Sequence, residues 1–154
     1  MVINIALFFT LILYSFIVSQ SLMYILALRN TQLRMDAPSY IFFRKLVDAN
    51  MQAKFRYAVY GALLSSLALA TLAIIDGSAF LISCTAIAFG ALMLDTVITV
   101  KGNLPINKII NGWTSSSYPP NWSDVRNQWL QHFQYRQVLN ITGYTALVAG
   151  AIFR

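Results

Sequence analysis

The chain has 154 residues, of which 58% are hydrophobic and only 10% charged, whereas about a quarter of the residues in a soluble domain carry charge. Its mean hydropathy of +0.61 excludes an ordinary water-soluble fold and points to a single integral membrane domain over residues 1–154, with no spare length for a soluble one. The formal charge of +6 and the pI near 9.7 suit contact with anionic lipid head groups, and nothing in their pattern suggests nucleic acid.

The first predicted helix covers about residues 2–28. No Lys or Arg precedes this apolar run and no A-x-A-like site follows it, so it reads as a retained membrane helix and not as a signal peptide. The second helix, about 38–75, begins before the membrane with Pro38 in its first turn. Arg44, Asp48, Gln52 and Arg56 recur every four residues along this part, which predicts a solvated stripe with Arg44–Asp48 and Asp48–Gln52 interactions. Arg56 stands where the helix enters lipid, able to snorkel outward or to turn inward. An Asp76-Gly77-Ser78 turn leads to the third helix, about 78–100, which holds the single cysteine, Cys84, as a small buried residue. It also carries Asp95 about 7 Å inside the apolar segment. A carboxylate at that depth is costly unless neutral or paired, so Asp95 should face the interior with Arg56 or Arg136 as its partner.

Gly102 and Pro105 predict the end of the third helix, with Asn103 and Asn107 capping the turn or short helix that follows. The fourth helix, about 122–153, takes Asn121 or Ser123 as its N-cap. Its apolar part, Val138–Phe153, covers only about 24 Å and spans the hydrocarbon if its first turns sit in the interface. Trp129, His132, Arg136 and Asn140 share an arc of about 80° on this helix. Trp113, Tyr118, Trp122 and Trp129 suit an interfacial aromatic belt or a lid.

Basic residues crowd the connections between helices one and two and between three and four. That bias places both connections in the cytoplasm and both termini outside. The expected fold is therefore all-α: an integral membrane four-helix bundle, up-down-up-down, with helices two and four extended beyond the membrane at one pole. At that pole gather Arg56, Asp95, Asn103, Asn107, Trp129, His132, Arg136 and Asn140. One His and one Cys at different depths do not make a metal-ligand set.

The element "NLPIN" (Asn103–Asn107) after an apolar helix, followed by "WLQHFQYRQVLN" (Trp129–Asn140) leading into the last one, resembles the anthrone-oxygenase-like membrane proteins. In that four-helix family an Asn-x-Pro-Leu-Asn turn follows helix three, and Trp, His and Arg open helix four. Here Ile106 replaces the leucine and the step from His132 to Arg136 is four residues; the likeness is closest over the last third of the chain. It implies a bacterial inner-membrane protein that uses O₂ to oxygenate an anthrone-like polyphenol without a cofactor. In that scheme His132 is the base and Arg136 stabilises the substrate anion. Asp95, from its depth in the helix, is either half of a structural ion pair or an acid that handles a proton or positions substrate. Asn103, Asn107, Asn140 and Arg56 would hold substrate oxygens, with Trp129 as an aromatic wall. The competing expectation is a non-enzymatic membrane subunit that binds lipid, a membrane-protein partner or a second copy of itself. An open pocket lined by His132 and Arg136 favours the enzyme; a filled interior with those groups satisfied favours the subunit.

Overall fold

The computed structural model describes all 154 residues, and nearly the whole chain is helical. Three helices, α1 (Val2–Arg34), α2 (Ala37–Asp76) and α3 (Ala79–Asn111), are each long and apolar enough to cross a membrane. The fourth, α4, is Trp122–Phe153. Large apolar side chains such as Phe8, Phe9, Leu64, Ile74 and Leu94 lie on the outer surface, an exterior suited to hydrocarbon and not to water.

The helix boundaries follow from local chemistry. Asp36 caps α2 by accepting the Ser39 N–H at 3.2 Å, and a proline occupies the first turn, where its missing N–H costs nothing. Ser39, through its side chain and then its backbone N–H, holds the Asp36 carboxyl below its ordinary range. Between α2 and α3, Gly77 takes φ +80°, a left-handed conformation natural to glycine. Ser78 then caps α3 by accepting the Leu81 N–H at 3.4 Å.

Two helices outrun their expected ends. α1 continues past residue 28 to Arg34, and α3 passes through Gly102 and Pro105 to Asn111, so these two residues do not terminate it. A π turn over Thr99–Asn103 explains the second case: the Leu104 N–H reaches back five residues to the Thr99 carbonyl. Widening the helix immediately before Pro105 relieves the usual clash of the ring with the preceding turn. Similar π turns occur at Tyr24–Leu28 in α1 and Met51–Phe55 in α2.

Helix α4 packs against α3 and α1, and α2 packs against α1 and α3. The interior is divided. One apolar cluster includes Tyr14, Ile17, Leu69, Leu81, Leu92 and Leu147, and a second includes Tyr24, Tyr40, Ile106, Trp113, Trp129 and Phe133. Along α3 the chain passes from Leu92 in the first cluster, through Asp95 and Asn103, to Ile106 in the second. A buried polar layer thus separates two apolar cores.

Close approach of the helices depends on Gly143. A Cβ there would stand 2.9 Å from Tyr14 Cζ and 3.0 Å from Ala91 Cβ, and would overlap the Tyr14 hydroxyl. Tyr14 is fully buried and has nowhere to retreat. Gly143→Ala is therefore expected to destabilise the protein by about 1–3 kcal/mol, the cost of overpacking a filled core. Thermal unfolding in detergent checks this, and Tyr14→Phe in the same chain is expected to restore part of the loss by removing the overlapping oxygen.

Candidate functional site

The polar layer is built from stripes on α2 and α3. On α3, Asp95, Thr99, Asn103, Asn107 and Asn111 recur every four residues; on α2, Arg44, Asp48, Gln52 and Arg56 do the same. In a regular α-helix such a stripe rotates by about 40° per step. Each stripe here passes through a π turn, Met51–Phe55 in α2 and Thr99–Asn103 in α3. With more residues in that turn, the drift is reduced and the polar groups keep facing the same gap.

The deeper half of the layer centres on Asp95 and Arg136, both buried. Arg136 Nε donates to Asp95 Oδ1 at 2.8 Å, and Asn140 Nδ2 donates to the same oxygen at 3.0 Å. Arg136 Nη1 reaches Asn103 Oδ1 at 3.3 Å, and the Arg136 guanidinium lies 5.0 Å from the centre of the Phe133 ring. Asn103 is anchored in turn by donating to the Trp129 carbonyl at 3.0 Å. Of the two arginines considered as partners for Asp95, Arg136 takes the role. Arg56 is exposed and donates to the neighbouring Tyr57 hydroxyl at 3.2 Å.

The other half centres on Asn107. Its Oδ1 accepts from Arg44 Nη2 at 2.9 Å and from Trp129 Nε1 at 2.8 Å, while its Nδ2 donates to Asp48 Oδ1 at 2.7 Å. Asp48 also accepts from Asn111 at 2.8 Å and from Gln52 at 2.9 Å. The Arg44 guanidinium stacks over Trp129, 3.8 Å from the ring centre, a desolvated geometry in which a cation–π contact contributes about 2 kcal/mol. Arg44 Nη1 completes the set by donating to the Tyr24 hydroxyl at 3.2 Å.

Several expectations change here. Arg44 and Asp48 are 3% and 5% exposed, so this part of the α2 stripe is interior and not solvated. The Asp48–Gln52 interaction forms, but Arg44 and Asp48 do not pair directly, because the Asn107 amide lies between them. Asn103 and Asn107 do not cap a turn; they sit inside α3 and tie it to α2 and α4. Trp129 is 3% exposed, hence an interior residue and not part of an interfacial belt.

A cleft of about 410 Å³ opens between α2 and α3, within the size range of small-molecule sites. Asp95, Arg136, Asn103, Asn107, Trp129 and Arg56 line it. Arg44, Asp48, Asn111 and Lys108 line it as well. Met51, Phe55, Val59 and Val100 give it an apolar wall.

His132 and Asn140 do not line the cleft. His132 packs against α3 at Gly102, where an added Cβ would stand 2.9 Å from the ring, and its Nδ1 is buried without a partner. The imidazole is turned aside although it shares a helical arc with Trp129 and Arg136, because α3 is pressed against α4 at that level. Asn140 lies deeper, between Asp95 and Ser21, whose Oγ is 3.5 Å away. No three His, Cys, Asp or Glu side chains gather in a way that could hold a metal ion.

Comparison of the chain with protein families, with curated proteins and with solved structures finds no match.

Proposed function

We propose that this chain is an integral membrane protein with four spanning helices, up-down-up-down, which binds a small amphipathic molecule in the cleft between α2 and α3. The observation that carries this reading is the cleft itself: its floor is a built polar network and its wall is apolar. The helix order is supported by the pairing of sequential helices and by contact between the two ends of the chain, where Arg154 bonds to Asn4. In this topology α2 and α4 project beyond the hydrocarbon at the basic pole, which faces the cytoplasm of a bacterial inner membrane, and both termini lie outside. Lipid surrounds the apolar exterior.

A narrower reading is cofactor-independent oxygenation of an anthrone-like polyphenol, in which O₂ converts a ring methylene to a carbonyl and releases water. Trp129 and Arg136 on the cleft floor favour it as an aromatic surface and a fixed cation. His132 does not line the cleft, and the carboxylates that do are Asp48 and Asp95. Both carboxylates are already engaged by amide or guanidinium donors, so the binding reading is the better supported of the two.

Filling the cleft tests the proposal. Thr99 lines it between Asp95 and Asn103, and Thr99→Trp is expected to abolish retention of a co-purifying small amphiphile in native mass spectrometry while the protein stays folded. Unchanged retention in the folded variant would remove the cleft as the binding site. Quinone formation from added anthrone and O₂, lost in Thr99→Trp and kept in His132→Phe, would establish the narrower reading.

A further inference from the structure

We infer that the ligand of this cleft carries an anionic head group, a carboxylate or a phosphate, held at the mouth by Arg56 and Lys108 and backed by Arg44. The inference rests on the binding proposal and adds the chemical class of the ligand. Six charged side chains line the cleft: Arg44, Arg56, Lys108 and Arg136 against Asp48 and Asp95. The buried members balance. Arg136 pairs with Asp95, and Arg44 is linked to Asp48 through the Asn107 amide.

Arg56 and Lys108 are left over. The Arg136–Asp95 pair is the only salt bridge in the chain, so neither of the two has a carboxylate within salt-bridge distance. They come from the opposite walls of the cleft, α2 and α3, and both are exposed at its edge. With four cations against two carboxylates the lining carries a net charge of +2, which favours an anionic ligand over a neutral one. Arg44, 3% exposed and also lining the cleft, adds a buried positive charge behind Arg56 and Lys108.

The apolar wall decides between a free ion and an amphiphile. Met51, Phe55, Val59 and Val100 gain nothing from inorganic phosphate, whereas an alkyl chain laid against them removes apolar surface from water on both sides. The head group therefore belongs at the basic pole and the tail runs along α2 toward the hydrocarbon.

The experiment uses the full chain in phosphatidylcholine nanodiscs, titrated with decanoate, decyl phosphate, decanol and inorganic phosphate while tryptophan fluorescence is recorded. Both decyl anions are expected to bind at least tenfold more tightly than decanol. That advantage should vanish in Arg56→Gln/Lys108→Gln, a pair of exposed changes that leave the buried network intact. Arg29→Gln/Arg34→Gln, which removes two exposed charges outside the cleft, is expected to preserve it. Equal affinity for decanol and the anions would overturn the head-group inference and leave the binding proposal standing. Inorganic phosphate binding as tightly as decyl phosphate would overturn the amphiphile in favour of a free anion. Absence of saturable binding by all four would overturn the binding proposal itself, and equal loss in both double variants would reduce the effect to general surface charge.

Discussion

Asp95→Leu is expected to be among the most destabilising single changes in the protein, at about 3–5 kcal/mol, because it leaves a buried guanidinium without its counter-ion. Arg136 would keep only the Asn103 oxygen at 3.3 Å and the Phe133 ring, and Asn140 would keep only the longer contact with the Ser21 hydroxyl at 3.5 Å. At about 2–4 °C per kcal/mol for a chain of this size, unfolding in detergent should begin well below the wild-type temperature. Asp95→Leu/Arg136→Leu should recover most of the loss, since an apolar pair of similar volume often matches or exceeds a buried ion pair. The comparison separates two roles for Asp95. Recovery in the double variant means that the carboxylate serves to neutralise Arg136; a double variant as unstable as the single one means that Asn103 and Asn140 depend on both charges. A single variant with wild-type stability would show that Arg136 can reach water, and the cleft floor would then be wetter than its burial implies.

The buried Asp95 was legible in the sequence because physics allows few alternatives. A carboxylate within an apolar helix must pair, and Arg56 and Arg136 are candidates because both enter the membrane at the same pole as Asp95. Choosing between them required knowing how α4 lies against α3, which depends on close contacts at Gly102 and Gly143 that no periodicity reveals. The α2 stripe was visible as a pattern, but its burial was not: Arg44-Asp48-Gln52-Arg56 at a spacing of four reads equally well as a solvated face or as one half of an interior network. The deciding information lay on α3, in the matching series Asp95, Thr99, Asn103, Asn107 and Asn111. That series was hidden because Pro105 is ordinarily a helix terminator, and the π turn that lets the helix continue has no simple sequence signature. His132 is the opposite case: it does not line the cleft. Sharing a helical arc with Trp129 and Arg136 made it look like a member of the site, yet a spread of about 80° is wide enough for one edge to meet the cleft and the other to meet a neighbouring helix.

Asn107→Leu is expected to cost about as much as Asp95→Leu, although it removes no charge. One amide here satisfies three groups: the Arg44 guanidinium, the Trp129 indole and the Asp48 carboxylate. Its loss leaves the Trp129 indole N–H with no acceptor, while Arg44 keeps the Tyr24 hydroxyl and Asp48 keeps Asn111 and Gln52. An unsatisfied buried polar group costs about 1–3 kcal/mol, and weakened contacts to two charged groups add to it. Asn107→Asp discriminates among them. It keeps the oxygen that accepts from Arg44 and Trp129 but sets a second carboxylate where an N–H met Asp48 at 2.7 Å. If Arg44 and Trp129 dominate, Asn107→Asp should be clearly more stable than Asn107→Leu; if the contact with Asp48 dominates, the two should fall together. The halves of the polar layer are also connected, because Asn103 joins Arg136 to the Trp129 carbonyl and the Trp129 indole joins Asn107. A double-mutant cycle between Asp95 and Asn107 is therefore expected to show a coupling of about 0.5–3 kcal/mol, where independent sites would be additive. Additive losses would mean that the two halves hold α3 separately, and a ligand that engages Arg44 would then leave the Asp95–Arg136 pair undisturbed.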